Sequence, residues 1–206
     1  VVVCVLLLPE SASAQFDLSR LFGGGKQQGS ATTTTSTSSA DPYQRLAATA
    51  PAASVLNGTW SYQSASFSYI GSNPLADVII AQLNPVISDA LTRLGITRGT
   101  ATLSLQSGRG TITHGDYVMS GGYTYTRSTA AIVATTTLDS KELSASGYVR
   151  YSSGELTVLL DARELAKAMK SVMPELALDQ NFVLVETLLR DIDGDVYVAA
   201  KFRALR

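Results

Sequence analysis

From Thr59 onward apolar and polar residues alternate with a period of two, and two stretches of helical spacing interrupt the alternation. Thr59 to Tyr69 is rich in Ser, Thr and aromatic residues, as strands prefer. Trp60 and Tyr62 share one face, Phe67 and Tyr69 the other, so the phase changes near Ser64-Ala65 and predicts a bulge or sharp bend. Ala101, Leu103 and Leu105 alternate, Ser107-Gly108-Arg109-Gly110 turns, and Thr111 to His114 returns. Tyr117, Met119, Tyr123 and Tyr125 keep one parity across Gly121-Gly122, which marks a bend or bulge. Ala130 to Thr137 is a further strand, and Asp139-Ser140-Lys141-Glu142 is the next turn. Ala145, Gly147, Val149 and Tyr151 then alternate, and Leu156, Val158 and Leu160 complete a hairpin. Val196, Val198, Ala200 and Phe202 form a closing strand whose other face carries Tyr197, Lys201 and Arg203.

The first interruption starts at Ser72-Asn73-Pro74, where Asn73 suits an N-cap and Pro74 the first helical position. Apolar residues recur at helical spacing to Leu94, and Gly95 is a C-terminal stop. Pro85 lacks the amide for its helical bond, which predicts a kinked helix or two short ones lying over one end of the strands. The second interruption opens at Asp161, with Glu164 at capping-box spacing and Leu165, Ala168, Met169 and Val172 on one face. Pro174 ends that helix, and Asp179 caps another carrying Phe182, Val185, Leu188, Leu189 and Ile192.

About eight strands linked mostly by short turns make the chain mainly β with inserted helices, an antiparallel lipocalin/calycin-like barrel of about eight strands. An open sandwich is the alternative.

The chain before Leu56 has a different character. Val1 to Leu8 is continuously apolar and Ala12-Ser13-Ala14 fits a signal-peptidase site, so residues 1–14 read as a signal peptide with a mature start at Gln15. The protein is then exported, periplasmic or secreted. Cys4 falls inside the run, so the mature chain is expected to have no disulfide and no thiolate chemistry, and no transmembrane segment. Residues 15–54, with Gly23-Gly24-Gly25 and Thr32 to Ser39, read as a low-complexity flexible linker, in which Asp41-Pro42 starts a short helix through about Ala48. Residues 55–206 form the barrel domain.

Composition narrows the function classes. Hydrophobic residues are 45% and charged residues 16% of 206, a folded and rather apolar chain. A net charge of -1 and the absence of Lys/Arg runs argue against nucleic acid as a partner.

Asn57-Gly58-Thr59-Trp60, the helical insert ending at Leu94-Gly95, Gly121-x-Tyr123-x-Tyr125 and Leu156-Thr157-Val158 running into Asp161 together resemble an uncharacterised, lipocalin-like (calycin-like) family of exported bacterial proteins. The resemblance covers Leu56 to Leu205. It implies a calycin-like barrel with no assigned catalytic residues, and ligand binding by analogy with lipocalins. The chain departs from typical lipocalins in its helices after the first strand, as in fatty-acid-binding proteins, and its two helices before the last.

The aromatic set Trp60, Tyr62, Tyr117, Tyr123, Tyr125, Tyr148 and Tyr151 suits either a pocket for an apolar ligand or a filled barrel, with Trp60 plugging one end. The expected lining of a ligand site is Tyr62, Leu103, Leu105, Tyr123, Tyr125, Val149 and Val158. The leading expectation is a non-catalytic carrier of a small hydrophobic ligand without cofactor. An adaptor or inhibitor that binds an envelope protein through its outer face is the second. A hydrolase is the weakest: His114 is the only histidine, with Ser120 and Asp116 near it, and no Gly-x-Ser-x-Gly elbow exists. Asp191-Ile192-Asp193-Gly194-Asp195 invites calcium, but its glycine falls at the fourth position where an EF-hand loop needs it at the sixth, and a solvated turn is favoured. One His and no mature Cys disfavour zinc. Asn57-Gly58-Thr59 matches a glycosylation sequon only incidentally.

Overall fold

In the computed structural model, residues 41–138 and 140–205 are described. The expected signal peptide, Cys4 and most of the expected linker lie outside them. Eight strands form one closed antiparallel barrel in which each strand pairs with its sequence neighbours and the last pairs with the first. They are β1 Gly58–Ile70, β2 Ala101–Gln106, β3 Arg109–His114, β4 Tyr117–Thr126, β5 Ala131–Leu138, β6 Lys141–Ser152, β7 Glu155–Asp161 and β8 Asp195–Ala204. Closure replaces the open sandwich and leaves no free edge pair. A row of paired residues leaving Gly58 through β2 reaches β6 at Leu143, while one leaving Tyr62 through β8 reaches β6 at Tyr151. That stagger requires strongly tilted strands.

Two local devices permit the curvature. The β1–β8 register shifts between Tyr62 and Ser64, and this bulge turns both Trp60/Tyr62 and Ala65/Phe67/Tyr69 toward the core. At Gly121 and Gly147 the neighbouring strand comes so close that a Cβ would run into the carbonyl oxygens of Thr135 and Leu159.

The barrel has two unlike ends. The entry end carries the start of β1 and the β2–β3, β4–β5 and β6–β7 connections. The other end carries the helices. There α3 (Pro74–Arg93) follows β1, and α4 (Ala162–Val172), a 3-10 turn at Pro174–Leu178 and α5 (Gln180–Asp191) separate β7 from β8. Asn73 accepts from the Leu75 amide and starts α3, which then runs unbroken through Pro85 as one helix rather than two. It buries Ala76, Ile80, Leu83, Ile87 and Leu91 in the same core as the barrel interior. Packing of that face holds the helix across the lost Pro85 bond. Asp161 caps α4 through the Arg163 and Glu164 amides, and Asp179 caps α5 through that of Phe182.

The N-terminal part of the described chain is packed on the barrel. Helix α1 (Pro42–Ala48), capped by Asp41, places Tyr43 and Leu46 on the outer wall against Tyr148, Leu159, Tyr197 and Ala199. Residues 41–54 of the expected linker are therefore bound structure, because Tyr43 and Leu46 supply the apolar area that the Ser/Thr stretch lacks. Helix α2 (Ala53–Leu56) then crosses the entry end.

Candidate functional site: the barrel interior

The inward-facing residues form one core: Trp60, Tyr62 and Ala65 on β1, Leu103 and Leu105 on β2, Ile112 on β3, Ile132 on β5, Val149 on β6, Leu156, Val158 and Leu160 on β7, and Val196, Val198, Ala200 and Phe202 on β8. Strand alternation places them there, as the sequence pattern requires.

Side chains fill the entry half. Leu56 is 1% exposed and its carbonyl accepts from the Trp60 indole N–H at 3.1 Å. Trp60 meets Tyr151 edge-on at 6.1 Å and Tyr62 meets Phe202 edge-on at 6.0 Å. The Tyr125 hydroxyl donates to the Pro51 carbonyl at 2.7 Å. Together these contacts plug that end. Burial pushes the Tyr62 hydroxyl up to about 12, against a smaller opposing effect of the Ala65 backbone. Burial also raises Tyr125, partly offset by the positive charge of Arg127.

A cavity of about 40 Å³ remains among β2, β3, β4, β5 and β7. Its wall is formed by Leu103, Leu105, Ile112, Met119, Tyr123, Ile132, Ala134, Val158 and Leu160, with Gly110, Gly121 and Gly122 leaving the β3–β4 wall bare. Of the residues expected from sequence, Leu103, Leu105, Tyr123 and Val158 line this cavity. Tyr62 and Val149 are buried in the core away from it, and Tyr125 is committed to Pro51. Tyr148 faces outward against Tyr43 and Tyr197, and Tyr117, at the strand end, is 50% exposed. Ile112, Met119, Ile132 and Leu160 join the lining unannounced. Their signal was present in strand parity, since Leu103 pairs with Ile112 and Ile112 with Met119.

The gap between β1 and β2 bears on access. β2 pairs only with the first residues of β1, Gly58 to Ser61. Beyond them α3 covers the unpaired edge, and Asn84 Oδ1 accepts from the Phe67 amide at 2.6 Å. At the start of the helix the Asn73 amide donates to the Tyr69 hydroxyl at 3.0 Å, and between its ends the helix meets the barrel mainly through apolar side chains.

The remaining candidate chemistry is dispersed. His114 sets Nδ1 3.2 Å from the Thr100 carbonyl and Nε2 3.3 Å from the Leu94 carbonyl, so it ties the end of α3 to the start of β2. Ser120 Oγ pairs with Thr111 Oγ1 at 2.9 Å rather than with His114. Asp191 faces Arg190 at 3.5 Å while Asp195 accepts from the Tyr43 hydroxyl, so the acidic turn points its carboxylates at separate partners.

The site thus lies in a closed eight-stranded antiparallel barrel, plugged by a tryptophan at its entry end and helix-covered at the other. A family model described as "Lipocalin-like domain (DUF4923)" matches residues 36–202. The chain belongs to this lipocalin-like family. The match starts upstream of α1, so the family unit takes in the docked N-terminal segment as well as the barrel of this lipocalin-like protein. No curated protein and no solved structure matches the chain.

Proposed function

We propose that this lipocalin-like protein binds a small apolar ligand inside the barrel, without catalysis, as a carrier or sequestering protein. The observation that carries the reading is the apolar cavity lined by five strands, where Gly110, Gly121 and Gly122 leave the β3–β4 wall bare, in the same core that α3 packs into. At about 40 Å³ the cavity is far smaller than the roughly 300–1,000 Å³ of a site for a drug-sized ligand. Binding therefore requires α3 to withdraw its buried face, Ile80, Leu83 and Ile87, so that the ligand takes over the apolar area the helix now covers. The Phe67 amide, donating to Asn84, is the polar tie at the middle of that joint. The sequence-based expectation of export into the periplasm or medium belongs to the same proposal.

Native mass spectrometry of protein purified from its own host tests this reading. A retained apolar molecule of a few hundred daltons is expected, released when α3 is loosened by Asn84→Ala. Ligand-free protein whose interior also excludes added fatty-acid and sterol probes sinks it. The second reading, an adaptor binding an envelope protein through its outer surface, draws on the nearly filled interior. A saturable protein partner captured by an empty barrel would favour it.

A further inference from the structure

Four arginines far apart in sequence meet at the entry end of the barrel. Arg109 opens β3, Arg127 follows β4, Arg150 precedes the end of β6 by two residues, and Arg203 stands next to the end of β8. All four are exposed. Among the described residues none of them makes an ion pair or a side-chain hydrogen bond. Of the carboxylates near them, Glu155 is taken by Lys201 at 3.6 Å, and Glu142 shares a surface depression with Arg109 without an ion pair between the two. At the helical end most of the cations are engaged, Lys167 excepted. Arg98 donates to Gln63, Arg163 to three carbonyls, Lys141 to the Ser171 carbonyl, and Lys170 and Arg190 pair with Glu186 and Asp191. The near-zero net charge of the chain thus conceals a molecule with a cationic end.

We propose that this arginine rim docks the protein, entry end down, on the anionic phosphate surface of a phospholipid bilayer. The rim is drawn from strands on all sides of the barrel, so it presents a plane of charge rather than a groove or stripe. A planar array of phosphates is its geometric complement. Guanidinium groups bind phosphate oxygens through paired N–H donors, and leaving four of them unpaired keeps those donors available. Leu205, exposed at the same end, adds a small apolar contact. Single-stranded nucleic acid needs exposed rings for its bases to stack on. Among the described residues the exposed aromatic Tyr117 lies at the opposite end. Docking in this orientation leaves α3 facing away from the membrane.

Co-sedimentation of the full chain with phosphatidylcholine vesicles containing about one part in four phosphatidylglycerol tests the rim. Retention is expected at low salt on these vesicles, above any retention on phosphatidylcholine alone, and is expected to fall as salt screens the charges. Arg109→Gln/Arg127→Gln/Arg150→Gln/Arg203→Gln should weaken the phosphatidylglycerol-dependent part by roughly 100-fold or more. Lys167→Gln/Arg190→Gln at the helical end should leave it unchanged. Equal retention on the two vesicle types, an unaffected rim variant, or binding to a single-stranded oligonucleotide in preference to the vesicles overturns the proposal. The salt dependence of the unmodified chain decides the matter even where the fourfold variant folds poorly.

Discussion

The backbone amide of Phe67 donates to the Asn84 side chain at 2.6 Å, which joins the middle of α3 to the open edge of β1. Removing that acceptor leaves a partly buried amide without its partner. Asn84→Ala is expected to lower stability by about 1–2 kcal/mol, read as a shift in urea midpoint. Amide hydrogen exchange should accelerate across Pro74–Arg93 more than in the strands. Equal acceleration everywhere would show that α3 is not a separately opening unit.

Gly147 sits where β6 and β7 approach most closely, and a Cβ there would meet Leu159 backbone that cannot yield. Gly147→Ala is expected to cost about 3–5 kcal/mol and much of the soluble yield. Gly154, at a φ of +79° with nothing near its Cβ position, is the contrast, and Gly154→Ala should cost only about 1–2 kcal/mol. Calorimetric melting of the two variants separates collision from backbone strain.

Arg163 donates from Nε to the Leu189 carbonyl at 2.8 Å and from Nη2 to those of Ile192 and Gly194 at 2.6 and 3.0 Å. It thereby caps the C-terminal end of α5, where a positive charge is favoured. A lysine cannot reproduce the planar fork. Arg163→Lys should therefore lose about 1–2 kcal/mol in a denaturant titration, and an unchanged midpoint would refute the cap.

The α1 clasp makes stability fall at high pH. Tyr197 donates to the Tyr43 hydroxyl, which donates to Asp195. Burial, and then the hydrogen bond to Asp195, push Tyr43 up to about 12; burial, and then the bond to Tyr43, push Tyr197 up as well. These tyrosines are neutral when protonated and folding raises their values. Their contribution is thus fully present below the unfolded value near pH 10 and is lost as pH climbs through about 12. Melting temperature should be level through neutral pH and decline above pH 10. Tyr43→Phe should flatten part of that decline, and an identical profile would exclude the clasp.

Trp60 is the only tryptophan and reports the plug directly. Trp60→Phe removes the indole N–H that the Leu56 carbonyl accepts, and should cost about 2–3 kcal/mol, read in the shift of the thermal transition.

The strand parity, the bulge before Ser64 and the helix caps at Asp41, Asn73, Asp161 and Asp179 were all legible in the sequence, because each depends on residues within a few positions of one another. Alternation likewise identified Leu103, Leu105, Tyr123 and Val158 as inward-facing. It could not say that Tyr125 would be spent on Pro51, or that Tyr197 and Tyr148 on the outer wall would be covered by Tyr43, since those pairs are far apart along the chain. Cavity size was equally out of reach. It is what remains after side chains from five strands fill a shared space, and no single segment sets it. The gathering of Arg109, Arg127, Arg150 and Arg203 at one end followed only once the barrel closed, because closure decides which strand ends become neighbours.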